Sequence, residues 1–166
     1  MSLRPILTWP DPGLSAICAP VAEITPAIRD LANDMLETMY AAPGRGLAAP
    51  QVGELVRLFV MDPSWKDGNP QPMICINPDI LEHSDAVATA GEGCLSIPGV
   101  TVDVTRSTSV RMVWTDLDGI VHEAALHGFA ALCAQHELDH LDGLVTLDRV
   151  DDSQRAAVLA QYNGAA

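Results

Sequence analysis

The five residues His136-Glu137-Leu138-Asp139-His140 constrain this chain more than any other stretch of it. On an α-helix of ~3.6 residues per turn, positions i and i+4 fall on one face about 40° apart, so both imidazoles can reach one ion. Glu137 stands beside the first histidine and can approach a water on that ion without being a ligand, the placement that general-base work requires. The motif therefore demands a helix, and the residues before it supply one. Phe129-Ala130-Ala131-Leu132-Cys133-Ala134-Gln135 is rich in helix formers and mostly apolar, and the pattern stops at Gly143, a natural C-terminal cap. A helix this apolar is predicted to be buried, with its site facing inward, where a metal gives the polar groups partners they would otherwise lack.

Two histidines are an incomplete donor set, because a catalytic site takes a third ligand from elsewhere and leaves a position open for water. Glu92-Gly93-Cys94-Leu95-Ser96, with glycines at 91 and 93, reads as a loop, and a thiolate is a strong ligand for a borderline metal. Cys94 is therefore the third expected ligand. Cys18, Cys75 and Cys133 read as small core hydrophobes, and His83, His122 and His127, which lack a motif, as surface or locally satisfied histidines. A third segment, Gly44-Arg45-Gly46-Leu47-Ala48-Ala49-Pro50-Gln51, carries small residues that let a backbone approach a ligand. Alone it is a weak signal, since it follows no strand and has neither GxGxxG nor a phosphate-loop lysine.

The remaining elements place these segments. Four prolines before Glu23 predict an extended arm with turns, wrapping the domain. Thr25-Pro26 is a helix start, and Ile28, Leu31, Met35 and Met39 repeat at helical spacing up to Pro43-Gly44. Val56 to Met61 suits a buried strand, Asp62 to Pro72 a loop, and Met73 to Ile76 another strand. Val100 to Leu126 reads as strands broken at Asp116-Leu117-Asp118-Gly119, a hairpin turn. The tail after Asp151 adds a short surface helix. The predicted class is α+β, with mixed or antiparallel sheets packed around a central HExxH-bearing helix, in one domain spanning 1–166.

Charge and hydropathy exclude some partners. A formal net charge of −13 repels a phosphate backbone, and no block of Lys and Arg offers an exception, so direct nucleic-acid binding is not expected. There is no apolar run of membrane-spanning length and no signal-peptide pattern at Met1 to Pro5, so the expected place is the cytoplasm, with no membrane partner.

In this order the three segments resemble peptide deformylase, the metal-dependent hydrolase that removes the formyl group from the N-terminal methionine of newly made proteins. The EGCLS motif stands intact at Glu92 to Ser96 and QHExDHLxG at Gln135 to Gly143. The resemblance implies Cys94, His136 and His140 as ligands of one divalent ion, Fe²⁺ in the cell, replaceable by Zn²⁺, Ni²⁺ or Co²⁺. It implies Gln51 and the backbone N–H of Leu95 as donors to the developing oxyanion. Water activated at the metal then attacks the formyl carbon, and Glu137 carries the proton to the leaving amine. Glu92 is expected to pair with Arg106, bracing the segment that presents Cys94.

The same resemblance makes Gly46 and Arg45 part of a stretch that pairs with the substrate backbone, and Phe129, Leu132 and Cys133 part of the methionine pocket. Arg45 departs from the family pattern, which has an apolar residue there. The implied partners are N-formylated peptide N-termini, with transient proximity to the ribosome; the tail from Asp151, with one Arg and no Lys, does not support a basic helix docking on RNA. Three rivals stand beside this reading. An ordinary HExxH peptidase needs a downstream His or Glu ligand, and neither follows His140. A metal-binding relative without turnover would most simply lack Glu137 or Gln51, and both are present. A paralogue acting on another N-formyl substrate is the third.

Overall fold

Thr25 opens the first helix, α1 (Pro26–Ala41), because its hydroxyl accepts the otherwise unpartnered N–H of Ile28 and the ring of Pro26 is already set for the first turn. Leu31, Ala32, Met35 and Met39 recur on one face and are buried with Leu47, Leu58, Val60 and Ile76. Thr25→Ala is expected to lower unfolding free energy by about 1 kcal/mol in a urea titration, the usual loss for a capping hydroxyl.

The computed structural model describes residues 2–165. Its strands are β1 (Gly46–Ala48), β2 (Leu58–Met61), β3 (Met73–His83), β4 (Val87–Cys94), β5 (Ile97–Ser107), β6 (Ser109–Thr115) and β7 (Val121–His127). Five form one sheet in the order β1-β2-β3-β6-β7, and β4 and β5 form a separate ribbon. Every pairing between these strands is antiparallel, so the sheets are not mixed; among the described residues the one parallel contact is the isolated bridge Ala19–Val56. The central helix, α2 (Gly128–Leu141), packs between sheet and ribbon and stops at Asp142, with Gly143 behind it at φ 76°. The arm before α1 is irregular as expected, with a single 3₁₀ turn at Pro12–Ser15.

Three elements differ from the sequence reading. Glu92 to Cys94 is not loop but the end of β4, whose ladder with β5 closes at the pair Cys94–Ile97. Residues 87 to 91 are exposed on both faces, so no apolar alternation marked them as strand. Strand β3 continues seven residues past Ile76, through Pro78, with a register shift beside Asn77 at φ 49° that breaks the pattern. The tail helix, α3 (Asp152–Ala165), is fourteen residues long and packs on β5: Val158 is buried among Val100, Val102 and Val104, and the Tyr162 hydroxyl donates to the Trp9 carbonyl at 2.8 Å.

Candidate metal and substrate site

Helix α2 carries His136 and His140 on the face turned toward the tip of the β4–β5 ribbon, where Cys94 ends its strand. The ligand atoms of Cys94, His136 and His140 all lie within 4.8 Å of one another, with Cys94 Sγ 3.5 Å from His140 Nε2. One thiolate and two imidazoles suit a borderline divalent ion and leave a tetrahedral position open. The donors are also held in place. Glu92 takes a hydrogen bond from His136 Nδ1 at 2.9 Å, which leaves Nε2 for the ion. Arg106 in turn donates to both oxygens of Glu92, at 2.7 and 3.0 Å, and to Asp139 at 2.9 Å. Asp139 also receives Arg149 at 2.6 and 3.0 Å. The expected Glu92–Arg106 pair is therefore present, within a larger network that is buried except at Arg149.

Glu137 is buried, and its Oε2 has no hydrogen-bond partner. Oε1 lies 3.9 Å from His136 Nε2, beside the donor cluster and outside it. Burial pushes the Glu137 carboxyl up to about 7, against the opposing pull of His136 and Arg106. Burial also holds His140 well below the ordinary histidine value, helped by the charges of His136 and Arg106. At His136 burial acts in the same sense but is outweighed by hydrogen bonds with Cys94 and Glu92, and its pKa rises. An orphaned carboxylate oxygen next to three converging donors fits a bound cation.

The Gly-rich segment joins the same site. Gln51 is 1% exposed, and its side chain is oriented by its partners: Oε1 accepts from the Ala48 N–H at 2.9 Å, and Nε2 donates to Ser96 Oγ at 3.0 Å. That turns Nε2 toward Cys94, 3.8 Å from Sγ. Ser96, not singled out in the sequence, thus aims Gln51. A Cβ on Gly44 would stand 2.7 Å from the Leu95 side chain, so the Gly-rich and Cys94 segments touch. One on Gly46 would stand 2.7 to 2.9 Å from the Glu137 carboxyl group and Cγ. Gly46→Ala is accordingly expected to displace Glu137 and lower kcat about 10²-fold with metal content unchanged, since displacements of about 1 Å carry losses of that size. Steady-state kinetics beside metal analysis checks it.

Gly44, Gln51, Cys94, Leu95, His136 and Glu137 line a cleft of about 690 Å³ together with Arg45, Gly46, Lys66, Phe129, Leu132 and Cys133. Edge strand β1 has one neighbour in the sheet. The Arg45 carbonyl accepts from the Asp62 N–H, so alternate residues 45 and 47 face β2 and Gly46 turns its N–H and C=O to the free side. Of the histidines left aside, His83 and His127 are exposed, and His122 lies 2.7 Å from Asp116 and stacks on Trp114. Cys18 and Cys75 are core residues, while Cys133 is buried and also borders the cleft.

A Cys-His-His cluster that could hold one metal ion, with a buried carboxylate beside it and a cleft leading to it, is the arrangement of a metal-dependent hydrolase. The family model for polypeptide deformylase matches residues 3–156. The chain is 49% identical to a peptide deformylase of Rhodopseudomonas palustris, over all of this chain and 96% of the relative. Among solved structures it superposes on the peptide deformylase of Ehrlichia chaffeensis in complex with actinonin at TM-score 0.92, with 36% identity over 99% of this chain and 98% of that one. The Thermotoga maritima peptide deformylase matches at TM-score 0.85, with 39% identity over 91% and 99%. The chain belongs to the polypeptide deformylase family, metal-dependent enzymes that remove the formyl group from the N-terminus of nascent proteins. No helix among the described residues is long and apolar enough to cross a membrane.

Proposed function

We propose that this single domain deformylates N-formylmethionyl peptides with Cys94, His136 and His140 holding the metal and Glu137 moving the proton. The observation that carries the reading is the buried, unpartnered Glu137 oxygen beside the three converging donors. Fe²⁺ is the proposed ion in the cell, with Zn²⁺, Ni²⁺ or Co²⁺ able to replace it, because one thiolate and two imidazoles accept any of these ions. When bound, the ion supplies Lewis acidity toward water and the formyl carbonyl.

The chain's own residues do the rest. The outward N–H and C=O of Gly46 offer the substrate backbone an edge to pair with, as an added strand on β1. Leu132, Cys133 and Phe129 receive the methionine side chain. Gln51 Nε2 and the Leu95 N–H donate to the formyl oxygen as it becomes an oxyanion, a role for which Gln51 is preorganised by Ala48 and Ser96. Glu137 takes the proton that water gives up on attacking the formyl carbon and delivers it to the methionine nitrogen as the C–N bond breaks. Formate and a free amine leave. The partners proposed are N-formylated chain ends in the cytoplasm, met near the ribosome without binding its RNA.

The test is formate release from formyl-Met-Ala-Ser by anaerobically prepared protein loaded with Fe²⁺ or Ni²⁺. Turnover by the metal-loaded enzyme, lost on chelation, is the expected result. A folded, metal-replete protein that releases no formate would overturn the proposed substrate and favour another N-formyl compound or a binding role.

A further inference from the structure

Nine side chains in this protein are cationic, against twenty-two acidic ones, and most of the cations are paired. Among the described residues, Arg4, Arg57, Arg106, Arg111, Arg149 and Arg155 form salt bridges, whereas Arg29, Arg45 and Lys66 form none. Two of those three, Arg45 and Lys66, line the cleft. In a chain so acidic, unpaired cations at the mouth of the substrate cleft stand out from the rest of its surface.

Arg45 is also preset. Its guanidinium carbon lies 4.7 Å from the centroid of the Phe129 ring, which is 45% exposed at the start of α2. A guanidinium over a ring face still has N–H groups free for a carboxylate, which can bind them in two-point fashion. Lys66 is exposed, with its ammonium 5.6 Å from the Trp65 ring, and provides a second charge. The acids that line the cleft are Glu92 and Glu137. Glu92 is 3% exposed and bound by Arg106, and Glu137 is buried on the cleft floor, so neither neutralises the mouth.

We infer that Arg45, assisted by Lys66, selects formyl-peptides carrying a carboxylate just beyond the formylmethionine. The inference rests on the cleft being the formyl-peptide site. Arg45 adjoins Gly46, whose outward edge takes the substrate backbone, and side chains of paired strands stand about 5 Å apart, within reach of a long cationic side chain. The carboxylate can belong to an Asp or Glu at the second or third position, or to the C-terminus of a short peptide.

The experiment compares kcat/KM for formyl-Met-Ala-Ser-amide with formyl-Met-Asp-Ser-amide, formyl-Met-Ala-Asp-amide, formyl-Met-Lys-Ser-amide and the free acid formyl-Met-Ala-Ser. Acidic peptides are expected to exceed the neutral amide about 3- to 10-fold, with the lysine peptide below it, and the spread should shrink in 0.5 M salt. The two Asp arms locate a side-chain carboxylate, and the free acid reports a terminal one. Arg45→Gln should flatten the order, Lys66→Gln should reduce it, and Arg45→Lys, which keeps the charge and loses the two-point geometry, should keep part of it. An order unchanged in Arg45→Gln, or lost equally in Arg45→Lys, would overturn the inference. Turnover of the neutral amide with no charge preference defeats this inference alone, whereas no turnover of any peptide defeats the deformylase reading beneath it.

Discussion

Glu137→Ala is expected to lower kcat for formyl-peptide hydrolysis about 10³-fold with the metal still bound, inside the ~10²–10⁴ range for one positioned acid–base group. The expectation comes from where the carboxylate sits. It is buried beside the donor cluster, 3.9 Å from His136 Nε2, yet stands outside the set Cys94, His136 and His140. Removing it therefore takes away a proton carrier and leaves the ligands. Glu137→Gln separates chemistry from packing, because the amide keeps the contact with Gly46 and cannot shuttle a proton; it should be as slow as the alanine variant. Cys94→Ala should behave in the opposite way, losing metal first and activity in proportion. Formate release measured together with metal per chain checks all three. Glu137→Ala retaining more than about a tenth of wild-type kcat would remove Glu137 from the mechanism.

Much of this site was legible because its parts are local in sequence. His136, Glu137 and His140 take their relative positions from helix geometry alone, so five consecutive residues specify the two proposed histidine ligands and the proposed base. The capped helix α1 was equally readable, since Thr25, Pro26 and the apolar repeat all lie within one segment. Strand β4 was not. Its exposed residues have no alternation of their own, and it exists because β5 offers a partner with Val100, Val102 and Val104 buried on one face. The consequence for the site is material: a strand end held by a ladder presents Cys94 more rigidly than a free loop. Ser96 escaped notice for a related reason. A lone serine in sequence gives no sign that Gln51, forty-five positions earlier, will point its amide at it.

The network behind the ligands was only partly visible. The pair Glu92–Arg106 followed from the resemblance to a known family, but Asp139, although it belongs to the motif QHExDHLxG, carries no role that the sequence alone assigns. In the fold it flanks His136 on the helix and ties Arg106 to Arg149. Helix α2 therefore carries both the candidate ligands and part of their brace. The brace reaches the ligands through a single chain of contacts, from Arg149 through Asp139, Arg106 and Glu92 to His136 Nδ1.

Arg106 is the link in that chain whose loss should be most destructive to stability. Its side chain is buried, and it neutralises Glu92, which is buried, and Asp139, which is nearly so. Arg106→Met keeps the apolar stem and removes the charge. Glu92 then loses two hydrogen bonds and keeps only His136, while Asp139 keeps Arg149. Leaving a buried carboxylate short of its cation typically costs about 3–5 kcal/mol, far more than the exposed pairs Arg111–Glu82 or Arg111–Glu123 contribute. Urea unfolding at fixed metal concentration measures it, because bound metal stabilises the native state by mass action and would otherwise confound the comparison. Metal affinity should fall about 10- to 100-fold as well, since His136 loses the support of a properly held Glu92. Adding Glu92→Gln to Arg106→Met removes the stranded charge and should recover part of the stability. A single-variant loss below about 1 kcal/mol, or a double variant no better than the single, would mean that Glu92 does not depend on Arg106.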